Sequence, residues 1–325
     1  MAVLPSKTAF WSITALLLLA TGPAALAQQP TGADRSLAGD AACTRCHDES
    51  ETRPILSMYK TRHGVKADAR TPGCQSCHGA SDAHIRNVGG TASKRTLPDV
   101  TFGVRGKSDP QQQSGTCLGC HEGSNRALWL GSQHESRDIP CAGCHTVHAA
   151  VDPVLTKLSQ PDVCYGCHKT QRAQTHLIST HPLAAAKMAC ADCHNPHGSA
   201  TDHLLSKASV NDTCFTCHAE KRGPFLWEHA PVADDCTNCH TPHGSTAAPL
   251  LKARVPWLCQ ECHSGDHANA VNSGANLQDG VVTTAGGLNP LANSGARAQL
   301  AARACLNCHV LVHGSNHPAG AKFQR

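Results

Sequence analysis

The chain has 325 residues, a formal charge of +4 and 40% hydrophobic residues, but only 3% aromatic ones. That is little aromatic side chain from which to build a core for a protein this long. With no basic run flanked by aromatics, the composition also argues against nucleic-acid binding. Cysteine and histidine are abundant instead, with 20 and 23 copies.

Residues 1–27 read as an export signal. Lys7 precedes an apolar stretch from Thr8 to Ala20, and Ala25-Leu26-Ala27 offers a small-residue cleavage site before Gln28. The stretch is too short to span a membrane comfortably, and nothing later in the chain approaches the roughly 20 apolar residues a spanning helix needs. The mature chain is therefore expected to be residues 28–325, exported, and without the charge of Lys7.

From residue 43 onward the cysteines fall into ten copies of Cys-x-x-Cys-His, with none left over. In chain order they are Cys43, Cys46 and His47; Cys74, Cys77 and His78; Cys117, Cys120 and His121; Cys141, Cys144 and His145; Cys164, Cys167 and His168; Cys190, Cys193 and His194; Cys214, Cys217 and His218; Cys236, Cys239 and His240; Cys259, Cys262 and His263; and Cys305, Cys308 and His309. One copy alone could be half a zinc site, a redox pair or part of a disulfide framework. Zinc does not require a histidine after every pair, and a disulfide framework has no reason to repeat one spacing ten times. The motif reads as c-type haem attachment: the two thiols add to the haem vinyl groups and the following histidine reaches the iron as proximal ligand. Ten covalently bound haems c follow, attached outside the bacterial inner membrane. Their twenty propionates would make the holoprotein acidic despite the positive formal charge of the chain.

Ten apolar macrocycles can take the place of the missing aromatic core. The fold class expected is a multihaem cytochrome c, with short helices and coil wrapped round the haems, little strand, and no stable fold without them.

Thirteen histidines lie outside the motifs, and ten of them follow a rule. In five two-haem units starting near residues 43, 117, 164, 214 and 259, each unit carries one histidine between its motifs and a second shortly after its second motif. These are His63 and His84, His134 and His148, His181 and His197, His229 and His243, and His267 and His313. They are the candidate distal ligands. His176, His203 and His317 fall outside the rule, with His317 the alternative to His313. Met58 and Met188 are weaker candidates, since methionine raises haem potential and histidine is in surplus. Asn195-Pro196-His197-Gly198-Ser199 nearly recurs at Thr241-Pro242-His243-Gly244-Ser245, and more loosely at Val312-His313-Gly314-Ser315. Repeats of this period suggest an elongated, quasi-one-dimensional array. Residues 85 to 116 and 268 to 304 read as loops, and short helices are expected around Ala127 to His134 and His181 to Ala189.

With two histidines on every iron there is no open coordination position, which favours electron transfer over catalysis. The alternatives are a multihaem reductase with one open iron and a soluble periplasmic electron shuttle. A reductase often departs from the motif, and all ten copies here keep their histidine.

Ten such motifs in an exported chain of this size resemble the MtrA/DmsE family of periplasmic decahaem cytochromes. Asn211-Asp212-Thr213-Cys214, Ala219-Glu220-Lys221-Arg222-Gly223-Pro224, Leu226-Trp227-Glu228-His229-Ala230-Pro231 and His313-Gly314-Ser315-Asn316-His317-Pro318 support the likeness. The resemblance implies a protein of the periplasm held within an outer-membrane β-barrel porin. It would pass electrons between periplasmic or inner-membrane carriers and an extracellular multihaem cytochrome or reductase, in metal reduction or iron oxidation.

Overall fold

In a computed structural model the described residues are 37–263 and 305–324, apart from 49, 66, 69, 92 and 93. The export signal expected at residues 1–27, the loop expected at 268–304 and His267 lie outside them.

Among the described residues secondary structure is short. The α-helices are α1 Leu37–Thr44, α2 Cys74–His78, α3 Asp82–Arg86, α4 Pro110–Leu118, α5 Gln160–Tyr165, α6 Lys169–Gln174, α7 Val210–Phe215, α8 Ala230–Asp234 and α9 Trp257–Gln260, interspersed with 3₁₀ turns. Strand pairing among the described residues is confined to isolated bridges such as Ser179 with Ser245 and Trp227 with Ser315.

The Cys-x-x-Cys-His spacing forms one helical turn. Residues i, i+3 and i+4 share a helix face, and the amide of His47 donates to the carbonyl of Cys43 at 3.1 Å, as His121 does to Cys117 at 3.0 Å and His309 to Cys305 at 2.9 Å. Two versions alternate along the chain. Cys43, Cys117, Cys164, Cys214 and Cys259 sit at or near the C-terminal ends of α1, α4, α5, α7 and α9. Cys141, Cys190, Cys236 and Cys305 open 3₁₀ turns, and Cys74 opens the five-residue α2.

Polar residues one turn before the first motif tie the two versions together. Asp40 Oδ1 accepts from the Cys74 amide at 2.7 Å, and Asn211 Oδ1 from the Cys236 amide at 2.7 Å. Gln160 Oε1 accepts from the Ala191 amide at 2.9 Å, and Ser114 lies beside Cys141. Asp40, Ser114 and Asn211 are buried, and the bonds they make satisfy the otherwise costly burial of polar groups.

A second contact joins each Pro-His-Gly-Ser loop to the preceding unit. Gly198 has φ +118°, and a methyl group there would run into the carbonyl oxygen of Leu128; Gly244 approaches the carbonyl of Gln174 in the same way. Only glycine combines that backbone conformation with so close an approach.

Two expectations from the sequence fail locally. Residues 85 to 116 are not all loop: Asp109 caps α4 by accepting from the amides of Gln111 and Gln112, and Pro110 supplies the first turn. Buried Gln113 then binds the folded segment before it, accepting from Gly103 N–H and donating to Ser108 C=O, each at 2.9 Å. Conversely, 127–134 and 181–189 are turns rather than helices. Gly131 and Ala186 take left-handed φ values of +79° and +53°, which end any helical run.

Among the described residues buried apolar side chains are few: Met58, Val100, Trp129, Ala189, Leu204, Ala247 and Leu251. The space at the centre is instead a continuous cavity of about 4880 Å³, lined by all 20 cysteines and all ten motif histidines.

Candidate metal centres

The cavity contains a regular set of facing imidazoles. His47 faces His84 with ring centres 6.0 Å apart, His63 faces His121 at 6.0 Å, and His78 faces His148 at 6.1 Å. His134 faces His168 at 6.1 Å, His145 faces His197 at 6.0 Å, and His181 faces His218 at 6.5 Å. His194 faces His243 at 6.0 Å, His229 faces His263 at 6.0 Å, and His240 faces His313 at 6.2 Å. Each pair joins one motif histidine to one of the ten candidate distal histidines.

That separation is informative. Nitrogen–metal bonds of about 2.0–2.1 Å, with each ring centre about 1.1 Å behind its nitrogen, put the centres of two imidazoles on one metal about 6.2 Å apart. Direct ring contact has no reason to reproduce this value nine times at interplanar angles from 10° to 84°. An iron held by both imidazoles of a pair would fit this gap, and the paired thiols of the motif border the same cavity and would attach the haem. Shared among ten motifs, the cavity provides about 490 Å³ each, within the roughly 300–1,000 Å³ of a site for one cofactor-sized ligand. The residues present therefore fit haem. None of the 20 cysteines is in a disulfide, and among the described residues no group of three or more His, Cys, Asp or Glu is arranged to hold a bare metal ion.

Hydrogen bonding selects the correct ring nitrogen. His78, His194, His240 and His309 direct Nδ1 to the backbone carbonyls of Val100, His203, Pro249 and Lys322, at 2.8, 2.8, 3.0 and 2.6 Å. His84, His134, His148, His181 and His229 do the same to Thr96, Pro196, Ile55, Pro242 and Val312. A carbonyl can only accept, so Nδ1 carries the proton and Nε2 keeps the lone pair a metal needs. Burial acts in the same direction. It lowers the proton affinity of His63, His78, His197, His243 and His313, favouring the neutral imidazole.

His317 differs: its Nδ1 accepts from the Ala319 amide at 3.1 Å, the opposite tautomer, and it is His313 that faces His240. His203 lines the cavity but contributes its carbonyl to His194. Met58 and Met188 also border the cavity, but none of these nine motif histidines faces a methionine.

The pairing crosses unit boundaries. His47 and His84 close within the first unit, whereas the other pairs each take their members from two neighbouring units. Both directions occur at each boundary: the second motif reaches forward, as His145 to His197, and the first reaches back, as His168 to His134. The thiols alternate in step. Cys43 lies within hydrogen-bonding reach of Cys74, as do Cys117 of Cys141, Cys164 of Cys190, Cys214 of Cys236 and Cys259 of Cys305. Across the boundaries, Cys77 neighbours Cys120, Cys144 neighbours Cys167, and Cys193 neighbours Cys217.

Sequence reasoning missed the residues that orient these histidines. Glu51 accepts from His47 Nδ1 and Asp152 from His145 Nδ1, each at 2.7 Å. Asp40, Ser114 and Asn211 were recognisable as a polar residue recurring three places before the first cysteine of a unit.

Comparison with known proteins agrees with this chemistry. Residues 181–223 and 229–268 match the family model described as a doubled CXXCH motif, and residues 74–160 match that of the cytochrome c-type protein NrfB-like family. The doubled motif couples Cys190 to Cys214 and Cys236 to Cys259, half a step out of phase with the two-haem units. Cytochrome c-type protein NrfB of Haemophilus influenzae is 27% identical over 149 residues, covering 40% of this chain and 65% of that one. Multiheme cytochrome MtrA of Shewanella baltica is 44% identical over 302 residues, covering 91% of this chain and 82% of that protein. The chain therefore belongs to the MtrA family of multihaem cytochromes, and is an electron-transfer protein, not an enzyme, that binds c-type haems covalently through its Cys-x-x-Cys-His motifs.

Proposed function

We propose that the facing histidines are the axial ligand pairs of a single electron conductor, with every iron closed by two imidazoles. The observation that carries this reading is the recurrence of a metal-sized gap in nine motif–distal pairs, with Nδ1 bonded to the chain in most of them. By elimination, the tenth motif histidine, His309, is left with the tenth candidate, His267. Bound haem supplies reversible one-electron chemistry at each iron. The chain's part is to fix spacing, orientation and potential: the thiols anchor the rim, paired histidines exclude a substrate position, and the Nδ1 partners hold the rings.

Among the described residues the histidine pairs that cross between units join adjacent units, which supports a linear order of stations. A compact globule of about 300 residues has a radius of gyration near 19 Å, hence a diameter of about 50 Å, barely more than the roughly 40–45 Å of a bilayer with headgroups. A linear array can exceed that span and present both ends. No helix among the described residues is long and apolar enough to cross a membrane, so insulation would come from a partner whose lumen tolerates a polar plug, an outer-membrane β-barrel porin. We infer that the protein works from the periplasm within such a barrel, linking periplasmic or inner-membrane carriers to an extracellular multihaem cytochrome or reductase.

The test is reconstitution in vesicles enclosing a reduced redox dye, with and without the barrel. Oxidation of the enclosed dye by an external acceptor only when both proteins are present is expected. Equal rates without this protein would overturn the conduit, and a high-spin haem in the oxidised protein would overturn full histidine closure.

A further inference from the structure

The second motifs of the five units share one hydrogen-bonding plan with a single exception. His78, His194, His240 and His309 each donate Nδ1 to a backbone carbonyl. His145 donates to the carboxylate of Asp152 at 2.7 Å. The Asp152 side chain is only 15% exposed. Its other oxygen accepts from the amides of Thr146 and Val154, which fix the carboxylate in place and leave Oδ2 for the imidazole. Among the described residues of the first motifs, only His47 meets a carboxylate at bonding distance, Glu51 at 2.7 Å, with both side chains about 30% exposed. His218 and Glu220 are 3.8 Å apart and more than half exposed, too far and too wet to count.

We propose that Asp152 and Glu51 are positioning residues that set the haems of the Cys141 and Cys43 motifs as the low-potential stations of the array. A carboxylate accepting from Nδ1–H raises the basicity of the imidazole toward the metal more than a carbonyl does. Its negative charge also favours the more positive ferric state. Both effects stabilise Fe(III) over Fe(II). The potential profile is then uneven, with one low station at the end that begins the chain and another where the second unit meets the third. This inference rests on His145 and His47 being axial ligands.

Redox titration of the purified ten-haem protein tests it. In Asp152→Asn, which keeps an acceptor oxygen and removes the charge, one tenth of the haem absorbance is expected to titrate at higher potential. The ferric/ferrous balance should move about tenfold, which is 59 mV for one electron. Glu51→Gln should move a different tenth, and Asp152→Glu should retain the original curve. If Asp152→Asn does not mature with ten haems, Glu51→Gln decides. Titration of the Asn and Gln variants on the wild-type curve, with ten low-spin haems bound, overturns the inference and leaves the ligation intact. A high-spin haem in the wild-type protein overturns the ligation reading beneath it.

Discussion

His145 and His197 lie as nearly parallel rings, 10° apart in orientation with 6.0 Å between centres, although they belong to different two-motif units. On the proposed ligation, the state of one haem is set by a residue of the next unit. His197→Ala is expected to leave all ten haems attached, since attachment depends on the thiols, but to convert one of them to high spin. His197→Met should keep that haem low-spin and raise its potential. Electron paramagnetic resonance of the oxidised protein reads both, and an unchanged spectrum in the alanine variant would mean that His145 takes another partner.

The C-terminal alternatives separate in the same way. His313 faces His240 across 6.2 Å, while His317 Nδ1 accepts from the Ala319 amide. A new high-spin haem is expected in His313→Ala and none in His317→Ala; the reverse pattern would exchange their roles.

Loop joints between units should be sensitive to a single methyl group. Gly198→Ala forces a side chain into left-handed backbone and against the Leu128 carbonyl, a strain of about 1–3 kcal/mol. For a chain of this size each kcal/mol lowers the melting temperature by roughly 2–4 °C. Gly115→Ala is the control: it lies within α4 with nothing inside 4 Å of the added methyl, so it should be neutral or gain about 0.5–1 kcal/mol. Thermal melts of the two variants should move in opposite directions or differ by several degrees, and equal melts would remove the glycine joint as a structural element.

The apoprotein should not fold. Buried apolar side chains amount to a handful of scattered residues around a cavity of about 4880 Å³, far too little apolar burial to offset the entropy of ordering this chain. Circular dichroism of chain made in a host unable to attach haem should show coil and no cooperative melt. A cooperative transition there would contradict the view of haem as core.

Motif residues were legible because their chemistry is local. Cys43, Cys46 and His47 share a face through one helical turn, whatever surrounds them. Helix α4 was read as loop despite the cap signal of Asp109-Pro110, because the polar run after it disguised a buried Gln113. Turns at 127–134 and 181–189 were misread because their apolar and alanine-rich residues imitate helices. The deciding positions there, Gly131 and Ala186, take left-handed backbone conformations that side-chain composition does not reveal.

The sequence by itself determined the cofactor, the count of haems and the pool of histidines near them, because covalent attachment needs only a fixed short spacing. Tertiary structure decided which histidine meets which, as in His78 with His148 and His63 with His121. It also decided that Asp152 rather than a carbonyl sits behind His145. Those relations depend on how far one unit is rotated and advanced against the next, and that is fixed by contacts such as Gly198 on Leu128 and His134 on Pro196, between residues remote in the chain.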